Sequence, residues 1–169
     1  MTDNPDDLYT HTEFESAIIR GDAETFYDLV DDADLCHRTD TGLTPLHKAA
    51  SMGRMEFAAE LLDRGADPDA QDDGGKTPLH IALDDGYHEI AELLLDHGAR
   101  ADIEDMYGAE PLQEAASSGN DHLTKRLLER GADPTHENEA GITPLEIARR
   151  SPEHRPAELL ESYADTETE

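Results

Sequence analysis

Tryptophan is absent from this chain, cysteine occurs once, at Cys36, and lysine occurs only as Lys48, Lys76 and Lys125. A single cysteine excludes an intrachain disulfide and a thiolate metal cluster, and Cys36 is expected to be a buried, inert thiol. No apolar run approaches the roughly 18 residues that a membrane-spanning helix needs, so no membrane partner is expected. The start, Met1-Thr2-Asp3-Asn4-Pro5-Asp6-Asp7, is acidic and has neither the basic lead nor the apolar centre of a secretory signal, which points to a cytoplasmic protein. Bases are scarce throughout: 13 against 41 acids, for a net charge of −28. Direct binding of nucleic-acid phosphates needs a basic footprint, and that footprint is missing.

An acidic excess of this size repels itself and opposes the compact state. In roughly molar salt the Debye length falls to about 3 Å and the repulsion is largely screened. The composition therefore reads as adaptation to a very salty cytoplasm. The excess is uneven, because Lys125, Arg126, Arg130, Arg149, Arg150 and Arg155 balance the six acids between Lys125 and Arg155. Ordinary helical pairing, such as Glu146 with Arg150 four residues on, accounts for that stretch, with a docking patch as the alternative.

What the sequence does have is a repeat. Thr44-Pro45-Leu46-His47, Thr77-Pro78-Leu79-His80, Glu110-Pro111-Leu112-Gln113 and Thr143-Pro144-Leu145-Glu146 follow one another at intervals of 33 residues. Threonine caps a helix and proline suits the first helical position, so a helix begins at each proline. Gly53, Gly86 and Gly119 end these helices after about two turns. A second helix follows in each copy, with Phe57, Leu61 and Leu62, then Ile90, Leu94 and Leu95, then Leu123, Leu127 and Leu128 at helical spacing. Gly65-Ala66-Asp67, Gly98-Ala99-Arg100 and Gly131-Ala132-Asp133 close it, and a polar, hairpin-like turn such as residues 68–75 leads to the next copy. Such units cannot bury their apolar faces alone and must stack.

This pattern resembles the ankyrin repeat, a 33-residue helix–helix–turn unit with a Thr-Pro-Leu-His-x-Ala signature. The resemblance implies an all-α solenoid of about five helix–turn–helix units over residues 8–163. These are an N-terminal cap at 8–38, repeats at 39–71, 72–104 and 105–137, and a C-terminal cap at 138–163. Acidic tails at 1–7 and 164–169 are expected to be disordered. In the N-terminal cap, Thr12 and Glu15 form a capping box for a helix carrying Phe14, Ala17 and Ile18, and Asp22 caps a second helix with Phe26, Leu29 and Val30. Glu110 is a weaker cap than threonine, and Gln113 and Glu146 stand where histidine is expected, so the third and last units should be held less firmly. The resemblance also implies that His47 and His80 hydrogen-bond within and between repeats. His97, at a helix C-terminus, suits a cation, and His88 and His122 are expected on exposed helix starts.

No chemistry-bearing constellation emerges. Asp72/Asp73 and Asp84/Asp85 are adjacent carboxylates whose side chains diverge, and no calcium loop, glycine-rich phosphate loop or Ser-His-Asp spacing is present, so they read as a solvated acidic face. No enzyme, cofactor or metal site is expected. The resemblance implies instead a probe-like surface: a concave groove, lined by turn tips and first helices, that binds a partner protein. By repeat position the groove holds Leu43, Met52, Lys76, Asp84, Asp85, Met106, Tyr107, Ser117, Ser118 and Ile142. The apolar members stand out on so acidic a chain, and Met106 and Tyr107 either contact the partner or pack within their own turn. A monomeric adaptor is the first reading, with a regulatory subunit of an enzyme or an acidic DNA mimic as alternatives. If the charge is an adaptation to brine, the melting temperature rises steeply between low and molar KCl, as followed by circular dichroism; a flat or falling value contradicts it.

Overall fold

Four prolines open four helices at a constant interval: α3 (Pro45–Ser51), α5 (Pro78–Asp84), α7 (Pro111–Ser118) and α9 (Pro144–Arg150). Each is followed by an antiparallel partner, α4 (Met55–Asp63), α6 (His88–Asp96), α8 (Asp121–Glu129) and α10 (Arg155–Ala164), and the pair α1 (Pro5–Arg20) and α2 (Ala23–Leu29) precedes them. The computed structural model describes residues 5–150 and 155–164 and, among these, contains ten helices and no strand. Helices α1, α3, α5, α7 and α9 stack in one layer, and α4, α6, α8 and α10 stack in a second. Small, fully buried side chains (Ala49, Ala50, Ala82, Ala115 and Ala116) let the first layer pack closely. The second layer contributes the leucine stripes, with Leu61, Leu94, Leu95 and Leu127 at 0% exposure.

The N-terminal end is sealed with aromatic rings. Phe26 lies between Phe14 and Phe57, with ring centroids 5.2 and 4.1 Å away, and these are the three phenylalanines of the chain. Stacked rings of this kind bury a large apolar area and add about 0.5–1.5 kcal/mol per pair beyond it. Asp22 caps α2 as its sequence suggests, accepting from the Thr25 amide at 3.2 Å. Helix α1, however, already begins at Pro5, so Thr12 and Glu15 fall inside it rather than at its start. Proline at a first helical position sets that earlier boundary. The acidic tail expected over residues 1–7 thus overlaps α1, while residues 1–4 and 165–169 lie outside the described residues.

Histidine in the signature does two jobs at once. His47 Nδ1 accepts from the Thr44 amide at 3.1 Å, closing the cap of its own helix, while Nε2 lies 3.0 Å from the Lys76 carbonyl in the next unit. His80 repeats this with Thr77 at 3.2 Å and the Ala109 carbonyl at 3.2 Å. A nitrogen that accepts leaves the proton on the other, so each ring is neutral and donates through Nε2. Burial holds both imidazoles below their ordinary value, consistent with that state. In the third unit the expected weakening is partly offset. Gln113 lacks a ring, but its Nε2 donates to the Ile142 carbonyl at 2.8 Å and keeps the link between units. What is lost is the cap, since the Glu110 side chain makes no hydrogen bond to the start of α7. Glu146 keeps only the capping role, accepting from the Thr143 amide at 3.2 Å.

The turns form a second line of contact. Asp73 donates its amide to the Thr41 carbonyl at 3.2 Å, Met106 to Gly74 at 2.8 Å, and Glu139 to Tyr107 at 2.9 Å. Gly75 shows why the sequence is strict there: its φ is +76°, and a Cβ would sit 2.9 Å from the Met106 nitrogen. Asp72, Asp105 and Asn138 build the turns from within. Asp72 Oδ1 accepts from Gly74 and Lys76 at 2.8 and 2.9 Å, and Asp105 Oδ1 accepts from Tyr107 and Ala109 at 2.8 and 3.0 Å. Asp72 is therefore a structural part of its turn, not one of a solvated carboxylate pair.

Cys36 is exposed, contrary to the buried thiol expected of it. It follows α2 in a polar turn, where its amide donates to Asp34 Oδ1 at 2.9 Å, and no apolar stripe passes through that position. On the second-helix layer, arginines tie neighbouring units together, Arg64 to Asp31 at 2.5 Å and Arg126 to Glu92 and Asp96 at 2.8 and 2.6 Å, while Arg149 of α9 pairs within the last unit, with Glu161 of α10 at 2.6 Å. Exposed pairs of this kind are screened by solvent and salt and contribute little to stability. Arg126 and Arg149 thus use their charge between helices, whereas the pairing expected of the near-neutral stretch runs along one helix, as in Glu146 with Arg150; Lys125 with Glu129, 3.7 Å apart, is a pair of that helical kind. His97 ends α6 with a bond to the Leu93 carbonyl at 2.9 Å that raises its pKa, and His122 is 71% exposed beside Glu92.

Candidate functional site

A cavity of about 490 Å³ opens where α5, α7 and α9 lie side by side. Leu83 and Asp84 come from α5, Gln113, Glu114, Ser117 and Ser118 from α7, and Ile147 from α9, with Ala109 and Asn138 from the two intervening turns. The stack puts them together because residues 33 apart occupy the same place on neighbouring helices, as Asp84 and Ser117 or Glu114 and Ile147 do. Three residues expected at the groove, Asp84, Ser117 and Ser118, thus meet in one depression.

The others are distributed around it. Lys76, half-buried, is ion-paired with Asp84, so its charge is already engaged. Asp85 is exposed at the end of α5, and Met52 at the end of α3 is 40% exposed. Leu43 and Ile142 are half-buried in the positions just before Thr44 and Thr143. The equivalent residues Lys76 and Ala109, like Ile142, offer their carbonyls to the preceding unit, so this position is first a structural one. Met106 and Tyr107 stand at the tip of the third turn, 58% and 61% exposed.

Sequence reasoning passed over Glu114. By repeat position it follows Lys48 and Ile81 and precedes Ile147, and both isoleucines pack against the core, so a carboxyl stands between two isoleucines. That contrast was the available signal. Burial, and then the neighbouring Asp84, push the Glu114 carboxyl up to about 7, with Lys76 acting in the opposite sense. Its Oε2 is buried without a hydrogen-bond partner, as is Oε1 of Gln113 beside it. A second buried acid, Glu110, is raised by burial and lowered by His136, whose Nδ1 is 3.7 Å from Glu110 Oε1. Exposed Tyr87 was also overlooked; its ring covers Gly53, where a Cβ would collide with it.

An acid whose folded pKa exceeds its unfolded one binds more protons when folded, so stability falls as pH rises from the ordinary 4.5 through about 7. Glu114→Gln removes that penalty. Urea unfolding at about pH 8 should show the variant more stable by about 1–3 kcal/mol, with the gain shrinking as pH is lowered toward about 5. A gain that is absent, or constant with pH, contradicts the assigned environment.

Comparison with known proteins bears on the whole assembly. A family model described as ankyrin repeats in three copies matches residues 14–105, and a model described as an ankyrin repeat matches residues 107–139. No curated protein matches the chain. Among the described residues no helix is long and apolar enough to cross a membrane. With helix pairs, proline-led first helices and interlocked turns at the matched positions, the chain belongs to the ankyrin-repeat family.

Proposed function

We propose that this protein is a non-enzymatic adaptor that holds a partner protein on the open side of its stack, in the groove formed by the first helices and the turns. Ankyrin repeats are protein–protein interaction scaffolds and generally carry no catalysis, which supplies the class of function. The observation that carries the groove reading is the third turn. Its shape is held by Asp105 and by backbone bonds, and the side chains of Met106 and Tyr107 stay 58% and 61% exposed beside the cavity-bearing units. Large apolar side chains left open on a chain of net charge −28 favour contact over local packing, and tyrosine is enriched among residues that dominate binding energy. Brine strengthens such apolar contacts while screening charged ones, so an adaptor working in a salty cytoplasm gains from carrying them.

The test is capture of a partner in molar KCl by the intact protein and by Tyr107→Ala in parallel. The variant should lose about 1–3 kcal/mol of binding while its unfolding stability moves by less than about 0.5 kcal/mol. Unchanged affinity with lost stability contradicts the reading, and turnover of a small substrate by the pure protein would refute the adaptor role. A captured DNA-binding protein that competing DNA releases would instead make the acidic surface a DNA mimic, and a captured metabolic enzyme whose rate changes on binding would make the chain its regulatory subunit.

A further inference from the structure

We infer that the cavity between α5, α7 and α9 is a socket for an arginine side chain of the partner, with Glu114 as the group that receives the guanidinium. The inference rests on the groove reading above and names one contact within it. The lining is rich in acceptors that lack donors. Glu114 Oε2 and Gln113 Oε1 are both buried without a hydrogen-bond partner, and Gln113 is only 3% exposed. Its other amide atom is committed to the Ile142 carbonyl, so the oxygen cannot exchange roles with the nitrogen without breaking the link between units. Buried acceptors left unmade are uncommon in folded proteins and are satisfied when a donor arrives.

Electrostatics select the donor. The charged groups facing Glu114 are Asp84 from α5 and Lys76 and Asp105 from the adjoining turns, while α9 contributes apolar Ile147 to the cavity. Lys76 is already paired with Asp84, so the cavity is left with surplus negative charge and no cation of its own for Glu114. An anion is therefore repelled. A bare metal ion is disfavoured too, because no group of three His, Cys, Asp or Glu side chains among the described residues could hold one. A guanidinium fits better than an ammonium here. It is flat, weakly hydrated and carries several donors, so it can meet a carboxylate and neighbouring acceptors together at a partly buried site. Leu83 and Ile147 give its aliphatic stem an apolar wall, and about 490 Å³ is ample room for one such side chain.

The probe is N-acetyl-arginine methylamide, titrated into the intact protein at the lowest KCl concentration that keeps it folded and followed by nitrogen–proton correlation spectra. The amides of Glu114, Ser117 and Ser118 should shift progressively. The neutral citrulline analogue should bind about tenfold more weakly, and Glu114→Gln should abolish the arginine preference with the remaining spectrum unchanged. Because the guanidinium needs an ionised Glu114, affinity should also rise as pH is raised through about 7. Equal shifts from arginine and citrulline, shifts confined to other surfaces, or undiminished binding to Glu114→Gln would each overturn the socket. A captured partner that is weakened by Tyr107→Ala and indifferent to Glu114→Gln overturns the socket alone and leaves the groove standing. A captured partner weakened by Glu114→Gln but held with unchanged affinity by Tyr107→Ala sustains the socket while the third-turn reading of the groove fails.

Discussion

The hydrogen bond from a buried side chain in one unit to the carbonyl that precedes the first helix of the next is the contact on which the rest depends. His47 makes it to Lys76, His80 to Ala109 and Gln113 to Ile142. In the two histidine units the same ring also closes the cap of its own helix, so the start of one helix and the height of the following turn are fixed by a single side chain. That coupling converts a run of short helices, each too short to persist alone in water, into a stack. It also sets the positions of the turn tips, which then bond to one another through their backbones.

Stability and recognition pull in different directions along this stack. Leucine and alanine serve the core, and arginines bridge the outer helices, yet α7 carries a glutamate at the repeat position that Ile81 and Ile147 hold in the units on either side and lacks a side-chain cap at Glu110. Both features weaken the third unit as a structural element. They coincide with the exposed Met106 and Tyr107 and with the buried unpartnered oxygens of Gln113 and Glu114, the features on which the proposed contact rests. Sites that bind are commonly kept at the expense of local stability.

Much of this was legible in the sequence because period, cap and core all follow local rules. Thr44, Thr77 and the prolines fixed where helices begin, Gly53 and Gly86 where they end, and the leucine spacing which face is buried. Other features needed coordinates. The exposure of Cys36 depends on a polar turn that composition alone does not distinguish from a packed one. Proline at position 5 outweighed the apparent capping box at Thr12 in setting the start of α1. Asp72 looked like half of a solvated pair until its two backbone donors were seen. Gln113 looked like a loss, whereas its amide reaches the same carbonyl class as the imidazoles. Glu114 was readable in principle, from the isoleucines one period to either side, but the depth of its burial was not.

The central claim is that a donor at the fourth signature position, and not the imidazole ring as such, joins one unit to the next. Comparing His80→Gln with His80→Ala by urea unfolding at near-neutral pH tests it most directly. His80→Gln should retain the link as Gln113 does and lose only the cap, about 0.5–2 kcal/mol, whereas His80→Ala should lose about 2–4 kcal/mol by stranding the Ala109 carbonyl and leaving a hole. Equal losses in the two variants, or an alanine variant as stable as the parent, would show that the units are held together by something else.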